Sequence, residues 1–267
     1  MTINIGFQMD PLESLNLEDD TTLAIIEECL SKNFNIWHFL PKDVSYLNGE
    51  VIASSKNILE LDKDTQPGFK TSDLIRKNLK ELDLIFLRQD PPFDMSYITA
   101  THILEKIASQ TLILNNPFHV RNAPEKIFVT EFSNFMPETL ITRETSEIIK
   151  FKNKNKNIII KPLYGNGGEG VFYIKDNDSN FNVILENFLN LNEEQFIIQS
   201  YIPEVKKGDK RIILIDGEVV GAINRIPAKN ENRSNMHVGG KPTKTSLNKN
   251  DKFICKTISP SISIILL

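Results

Sequence analysis

Four of the 12 glycines in this 267-residue chain fall in one short stretch, Gly165-Asn166-Gly167-Gly168-Glu169-Gly170. A glycine outside a needed turn costs about 0.5–1 kcal/mol of backbone entropy, so the cluster implies a conformational requirement. Close approach of backbone N–H groups to an anion is one such requirement, and a plain hairpin turn is the other. The string matches GxGxxG, yet a dinucleotide-binding loop opens a helix, whereas Val171-Phe172-Tyr173-Ile174 reads as a second strand. No Gly-Lys-Ser/Thr follows the glycines and no HRD or DFG lies downstream, which argues against a Walker loop and a protein kinase. Strand, glycine loop, strand is left: a flexible flap over phosphates.

The cations near this loop fit that reading. Lys161 closes the apolar run Ile158-Ile159-Ile160 and precedes Pro162, setting an ammonium beside the flap as a point charge for phosphate oxygens. Lys126, among apolar neighbours, is either a second phosphate cation or a lysine snorkelling to solvent. Gln195-Phe196-Ile197-Ile198-Gln199 reads as a strand running into Ser200-Tyr201-Ile202-Pro203, whose end offers backbone groups to an adenine edge.

Further on, Asp216-Gly217 separates two apolar strands, a hairpin signal. With a two-residue turn Arg211 faces Ala222 and Arg225 points to the other face. A three-residue turn through Glu218, a bulge or an irregular strand end puts Arg211 and Arg225 on one face. Two arginines on one strand surface repel unless they face solvent, acidic partners or an anionic ligand, and a carboxylate is the ligand a guanidinium grips bidentately. The polar stretch from Asn230 to Lys241 reads either as a mobile lid carrying Arg233 or as a surface loop; His237 within it has no partner motif.

Alternating short apolar runs and helical periodicity up to about residue 120 predict an open α/β layer to position these groups. Strands are expected at Ile3–Phe7, Ile36–Leu40, Leu84–Arg88 and Thr111–Leu114. Ala100, Ile103, Leu104, Ile107 and Ala108 form the apolar stripe of a helix laid on a sheet. Thr21 or Thr22, after Asp19-Asp20, is the expected N-cap of a helix running to Leu30, and Leu47-Asn48-Gly49-Glu50 the expected hairpin turn. A domain boundary is placed near 121, and the Lys/Asn alternation over 150–157 reads as a solvated connector rather than a phosphate-contacting patch.

With 40% apolar and 25% charged residues and a net charge of −4, the chain is an ordinary globular one, with no global field toward nucleic acid or an acidic membrane. Cys29 and Cys255 match neither a CxxC pair nor a zinc spacing and suit reduced thiols in a reducing cytosol. No basic leader opens the chain, and no apolar run approaches the ~20 residues of a membrane span, so a cytoplasmic protein without membrane or nucleic-acid partners is expected.

Met9-Asp10-Pro11, Arg88-Gln89-Asp90-Pro91-Pro92-Phe93-Asp94, Glu125-Lys126, Ile160-Lys161-Pro162-Leu163 with its glycine loop, Gly208-Asp209-Lys210-Arg211, Asp216-Gly217-Glu218 and Arg225-Ile226-Pro227 occur in that order. Together they resemble the prokaryotic-type glutathione synthetases, which are ATP-grasp ligases. The segment 88–94 and the arginine-carrying lid separate this family from the D-alanine–D-alanine ligases that share its fold. The resemblance implies an N-terminal open parallel-sheet (pre-ATP-grasp) domain over 1–121 and an α+β ATP-grasp module over 122–267. That module would comprise a nucleotide lid subdomain (122–200) and a C-terminal subdomain (201–267).

It also implies ATP-dependent joining of γ-glutamylcysteine to glycine through an acyl phosphate, in an enzyme that is a homo-oligomer in the full-length family. Lys126, Lys161, Gly165, Gly167, Gly168, Gln199, Tyr201, Ile202 and Asp209 would line the nucleotide site. Arg211, Arg225 and Arg233 would bind the dipeptide, with Ile226–Lys241 closing over it. Magnesium, or manganese in its place, would accompany ATP. In the family its ligands are an Asp and a Glu-x-Asn on a later strand pair, whereas this chain stops at Ser261-Ile262-Ser263-Ile264-Ile265-Leu266-Leu267. The expectation is therefore of a module incomplete at its C-terminus, without metal ligands and with little ligase activity. A residual nucleotide-binding domain and an ATP-grasp carboxylate–amine ligase with another acceptor are the competing readings.

Overall fold

The computed structural model describes residues 2–17, 20–64, 68–191, 193–229 and 231–266, with the side chains of 237 and 262–266 excepted. Asp19 and Asn230, named above, lie outside the described residues, as does the side chain of His237. The chain divides into two compact units, Met1–Asn122 and Ala123–Ile264.

The first unit runs β1 (Asn4–Gln8), α1 (Thr21–Ser31), β2 (Asn35–Phe39), β3 (Val44–Leu47), β4 (Glu50–Leu61), β5 (Phe69–Thr71), β6 (Ile75–Asn78), β7 (Leu84–Leu87), α2 (Met95–Glu105), β8 (Leu112–Leu114) and α3 (Pro117–Asn122). Its sheet has the order β3-β4-β2-β1-β7-β8, with β5 and β6 pairing on β4. The strands β2, β1, β7 and β8 are parallel, as the alternation of apolar runs predicts. To these the long β4 adds an antiparallel edge that the sequence reading reached only at its turn. There Leu47 pairs with Glu50, and Asn48 (φ 50°) and Gly49 (φ 92°) take the left-handed conformations a primed turn demands.

Two helix readings need correction. The N-cap of α1 is Asp20, whose carboxylate accepts from Thr22 N at 2.6 Å and Leu23 N at 3.3 Å. A carboxylate reaches two orphan amides where the threonine hydroxyls are already inside the first turn. The α2 stripe buries Ala100 and Leu104 as expected, but the helix ends at Glu105, and Ile107 reaches the core from the turn that follows.

The segment 88–94 is woven into this unit. Arg88 Nε donates to Thr22 Oγ1 (2.9 Å), Asp90 N donates to Asp10 Oδ2 (2.7 Å), and Asp94 caps α2 by accepting from Tyr97 N (2.9 Å).

The second unit runs α4 (Glu125–Phe128), β9 (Thr139–Thr142), α5 (Thr145–Asn155), β10 (Ile158–Pro162), β11 (Phe172–Ile174), α6 (Phe181–Leu191), β12 (Phe196–Ser200), β13 (Asp209–Ile215), β14 (Glu218–Ile226), β15 (Lys241–Lys244) and α7 (Lys249–Leu266). An antiparallel sheet β11-β10-β12-β9 packs one face on α5 and α6, and β13-β14-β15 form a second sheet. The period of two in β10 sends Ile158 and Ile160 into the core with Phe196, Ile198, Leu185 and Phe188, and leaves Ile159 and Lys161 for the opposite face.

The connector read over 150–157 is instead the end of α5 and the step into β10. Ile148 and Phe151, three residues apart, anchor that helix in the core. Lys152 is buried because its ammonium donates to Asp176 O at 2.7 Å while its stem packs inside. The Lys/Asn alternation hides this i, i+3 pair.

Candidate functional site

The glycine stretch is the connection between β10 and β11, which pair antiparallel with Ile160 opposite Phe172. Gly165 (φ 146°), Gly167 (φ 62°), Gly168 (φ 83°) and Gly170 (φ 65°) all take positive φ, which accounts for the cluster as a backbone requirement. A cation ties each side of the loop. Lys126 Nζ, on the short helix α4, donates to Gly165 O at 2.7 Å and pairs with Glu125 at 2.8 Å. Arg233 Nη1 donates to Gly168 O at 3.1 Å. A Cβ at Gly168 would come within 2.8 Å of Asn235 Oδ1 and 3.2 Å of Arg233 Cδ, so only glycine lets the flap lie this close to the 231–235 segment.

A cleft of about 390 Å³ is lined by Ile159, Lys161, Gln199, Tyr201, Ile202 and Asp209 together with Asn232, Arg233, Ser234 and Asn235; none of the flap glycines is in its lining. Strand parity builds its floor, since Ile159 pairs with Gln199 across β10 and β12. Gln199 Nε2 is oriented by donating to Thr139 Oγ1 at 2.9 Å. At the strand end the Tyr201 ring lies on Tyr173, 4.1 Å between centroids, and its hydroxyl donates to Asn232 Oδ1 at 3.3 Å. Tyr201 N–H is donated to Asn157 O at 3.0 Å, so the strand end presents the tyrosine ring to the cleft while this amide serves the sheet. Burial pushes the Lys161 ammonium below its ordinary range, with the charge of Lys126 adding to the effect and Glu125 opposing it.

The hairpin carries a two-residue turn, with Ile215 opposite Glu218, and a register shift between Ile213 and Leu214. Arg211 therefore pairs with Ile223 and Asp209 with Arg225, which puts Arg211 and Arg225 on one face through a bulge, as convergence requires. Their surroundings differ. Arg211 is exposed, and of the three arginines only Arg233 lines the cleft, so they do not gather at one point. Arg225 is mostly buried and grips Asp209 with both arms, Nε at 2.7 Å and Nη2 at 2.8 Å.

Arg233 is shared between the flap and Glu231, whose Oε2 accepts from Nη2 at 2.7 Å. Glu231 went unnoticed in the sequence, although its place two residues before an arginine is the available signal. Its carboxyl is held down to about 2, first by the hydrogen bond from Arg233. A depressed carboxyl pKa contributes stability that is fully present above the ordinary value of 4.5 and is lost as pH falls through about 2. Urea midpoints measured from pH 5 to pH 2 should therefore fall less steeply in Glu231→Gln than in the wild type; parallel curves would remove this contribution.

Magnesium takes about six oxygen ligands. Here Asp209 is held by Arg225 and Glu231 by Arg233, and among the described residues no three His, Cys, Asp or Glu side chains gather as an ion site. The donor set described does not fit a divalent-ion cradle, and the chemistry below uses the cations, amides and hydroxyls of the cleft. Among the described residues no helix is long and apolar enough to cross a membrane.

Residues 3–121 match the family model described as prokaryotic glutathione synthetase, N-terminal domain, and residues 125–264 match its ATP-grasp domain. The glutathione synthetase of Agrobacterium fabrum is 48% identical over 259 residues, covering 97% of this chain and 81% of that protein. That of Vibrio vulnificus is 36% identical, covering 98% and 83%. Among solved structures, the D-cycloserine synthetase DcsG (TM-score 0.63, 11% identity, 98% of this chain and 82% of that one) and D-alanyl-alanine synthetase A from Vibrio cholerae (TM-score 0.60, 12% identity, 99% and 81%) share the fold.

Proposed function

The chain belongs to the prokaryotic glutathione synthetase family, and we propose that its second unit carries the ATP-dependent ligation of γ-glutamylcysteine to glycine. Ligases of this family are ATP-dependent carboxylate–amine ligases that work with magnesium. The observation that supports the reading most is the cleft that Lys161 shares with residues 232–235, tied to the glycine flap by the Arg233–Gly168 hydrogen bond.

A free carboxylate acylates poorly because its leaving group is oxide. Transfer of the γ-phosphoryl group of ATP to the cysteinyl carboxylate, with release of ADP, gives an acyl phosphate. Attack by the glycine amine then forms the amide and expels phosphate. The charge of this transfer spreads over phosphoryl oxygens, so the protein contributes by holding and neutralising them. Lys161 supplies a desolvated ammonium, and Lys126 and Arg233 stand at the two sides of the flap. Gln199, Tyr201 and Ile202, which line the cleft, would receive the base, and Arg225, beside it on Asp209, a substrate carboxylate, while a closed 226–241 segment would keep water from the acyl phosphate.

The test is ADP release by the purified chain with γ-glutamylcysteine, glycine and ATP, with Mg2+ and Mn2+ in parallel to decide the ion. Release that requires glycine would establish the ligation and overturn the expectation of little activity. ATP binding without turnover would favour a residual nucleotide-binding module, and turnover with a different amine would reassign the acceptor.

A further inference from the structure

Ser234 is 3% exposed, lines the cleft, and its Oγ has no hydrogen-bond partner among the described residues. A buried hydroxyl left without a partner is costly, and such groups are few in native structures.

Its backbone is firmly placed. Gly240 N and Val238 N both donate to Asn235 O, at 3.0 and 3.1 Å. A Cβ at Gly240 would lie 2.1 Å from Ser234 O, so the chain crosses itself here only because residue 240 is glycine. On either side of Ser234, Arg233 donates to Gly168 O and Asn235 abuts Gly168, so the serine sits at the seam between this segment and the flap. Lys161 and Arg233 line the same cleft as Ser234 and make it attractive to an anion.

We propose that Ser234 is a nucleotide-positioning residue whose hydroxyl donates a hydrogen bond to a phosphoryl oxygen of ATP in this cleft. The proposal rests on the reading of the cleft as a nucleotide site. It gives the unpartnered hydroxyl an acceptor that arrives with the ligand, and it makes the 231–235 segment part of phosphate binding as well as a cover.

Ser234→Ala removes the hydroxyl and keeps the methylene, so two effects of opposite direction are expected. The ligand-free protein should unfold at the same or a slightly higher temperature, because a buried polar atom without a partner is gone. The dissociation constant for ATP should rise about tenfold, while that for adenosine, which lacks phosphates, stays within twofold.

Isothermal titration of wild type and variant with ATP and with adenosine, alongside thermal melts, reads all of this. Equal ATP affinity in the two proteins overturns the contact, and so does an equal loss for ATP and adenosine. A lowered melting temperature of the ligand-free variant makes the hydroxyl structural and also overturns it. A wild-type protein that binds neither ligand instead overturns the nucleotide reading of the cleft, an outcome separate from any of these.

Discussion

Lys161→Met is expected to lower kcat by about 10²–10³-fold, the loss typical when one preorganised charge-stabilising donor is removed from an active site. The same variant should leave the ligand-free protein as stable as the wild type or more so. Lys161 sits in β10 with its ammonium drawn out of water and near Lys126, and both effects push its pKa below the usual 10.5. A lysine whose folded pKa is lowered is held charged at a cost: at neutral pH folding carries that penalty, which fades as pH rises through the folded value toward 10.5. Methionine keeps the stem and removes the penalty.

The pH dependence follows with the same sign. ATP affinity of the wild type should decline on the alkaline side before pH 10.5, as the ammonium loses its proton, and that limb should vanish in Lys161→Met. Titrations of ATP from pH 7 to pH 10 with both proteins measure it. Lost activity accompanied by a lower melting temperature would instead assign Lys161 to packing.

What the sequence made legible here follows from period and turn chemistry. Apolar alternation is a local signal, so β1, β2, β7 and β10 fall within a residue or so of where their side chains predict them. Asn48-Gly49 and the glycine flap were readable because only a few residues accept their φ values. The face shared by Arg211 and Arg225 depended on a bulge at Ile213/Leu214 that no residue type announces, so the sequence could state the condition and only coordinates the answer. Lys152 and Asp20 went astray for a related reason: a lysine in a core and a carboxylate before a threonine pair are decided by a carbonyl or an amide that the fold brings near. The cleft joins β10, β12 and a segment more than 30 residues further along; Asn232 acquires its tyrosine partner only through that juxtaposition, and Ser234 is buried there without one, whereas Glu231 finds its arginine two residues on.

Arg225→Ala should weaken γ-glutamylcysteine binding by about 2–3 kcal/mol, the value of a charge-assisted pair out of water, and leave ATP affinity within about twofold. The pair with Asp209 makes this prediction sharper than a single substitution allows. Asp209 already presents a carboxylate to both arms of the guanidinium at 2.7 and 2.8 Å, which is the geometry a substrate carboxylate would adopt. If Arg225 serves the substrate, the internal carboxylate competes for it, and Asp209→Asn, which keeps the shape and removes the charge, should bind γ-glutamylcysteine more tightly than the wild type. If the pair is only a clasp between β13 and β14, both variants should lose stability and both should bind less well. Titrating γ-glutamylcysteine and ATP into wild type, the two single variants and the double variant separates these cases. An Asp209→Asn protein that loses γ-glutamylcysteine affinity as Arg225→Ala does would end the substrate role of Arg225, because a guanidinium relieved of its internal partner has every reason to hold an external one more firmly.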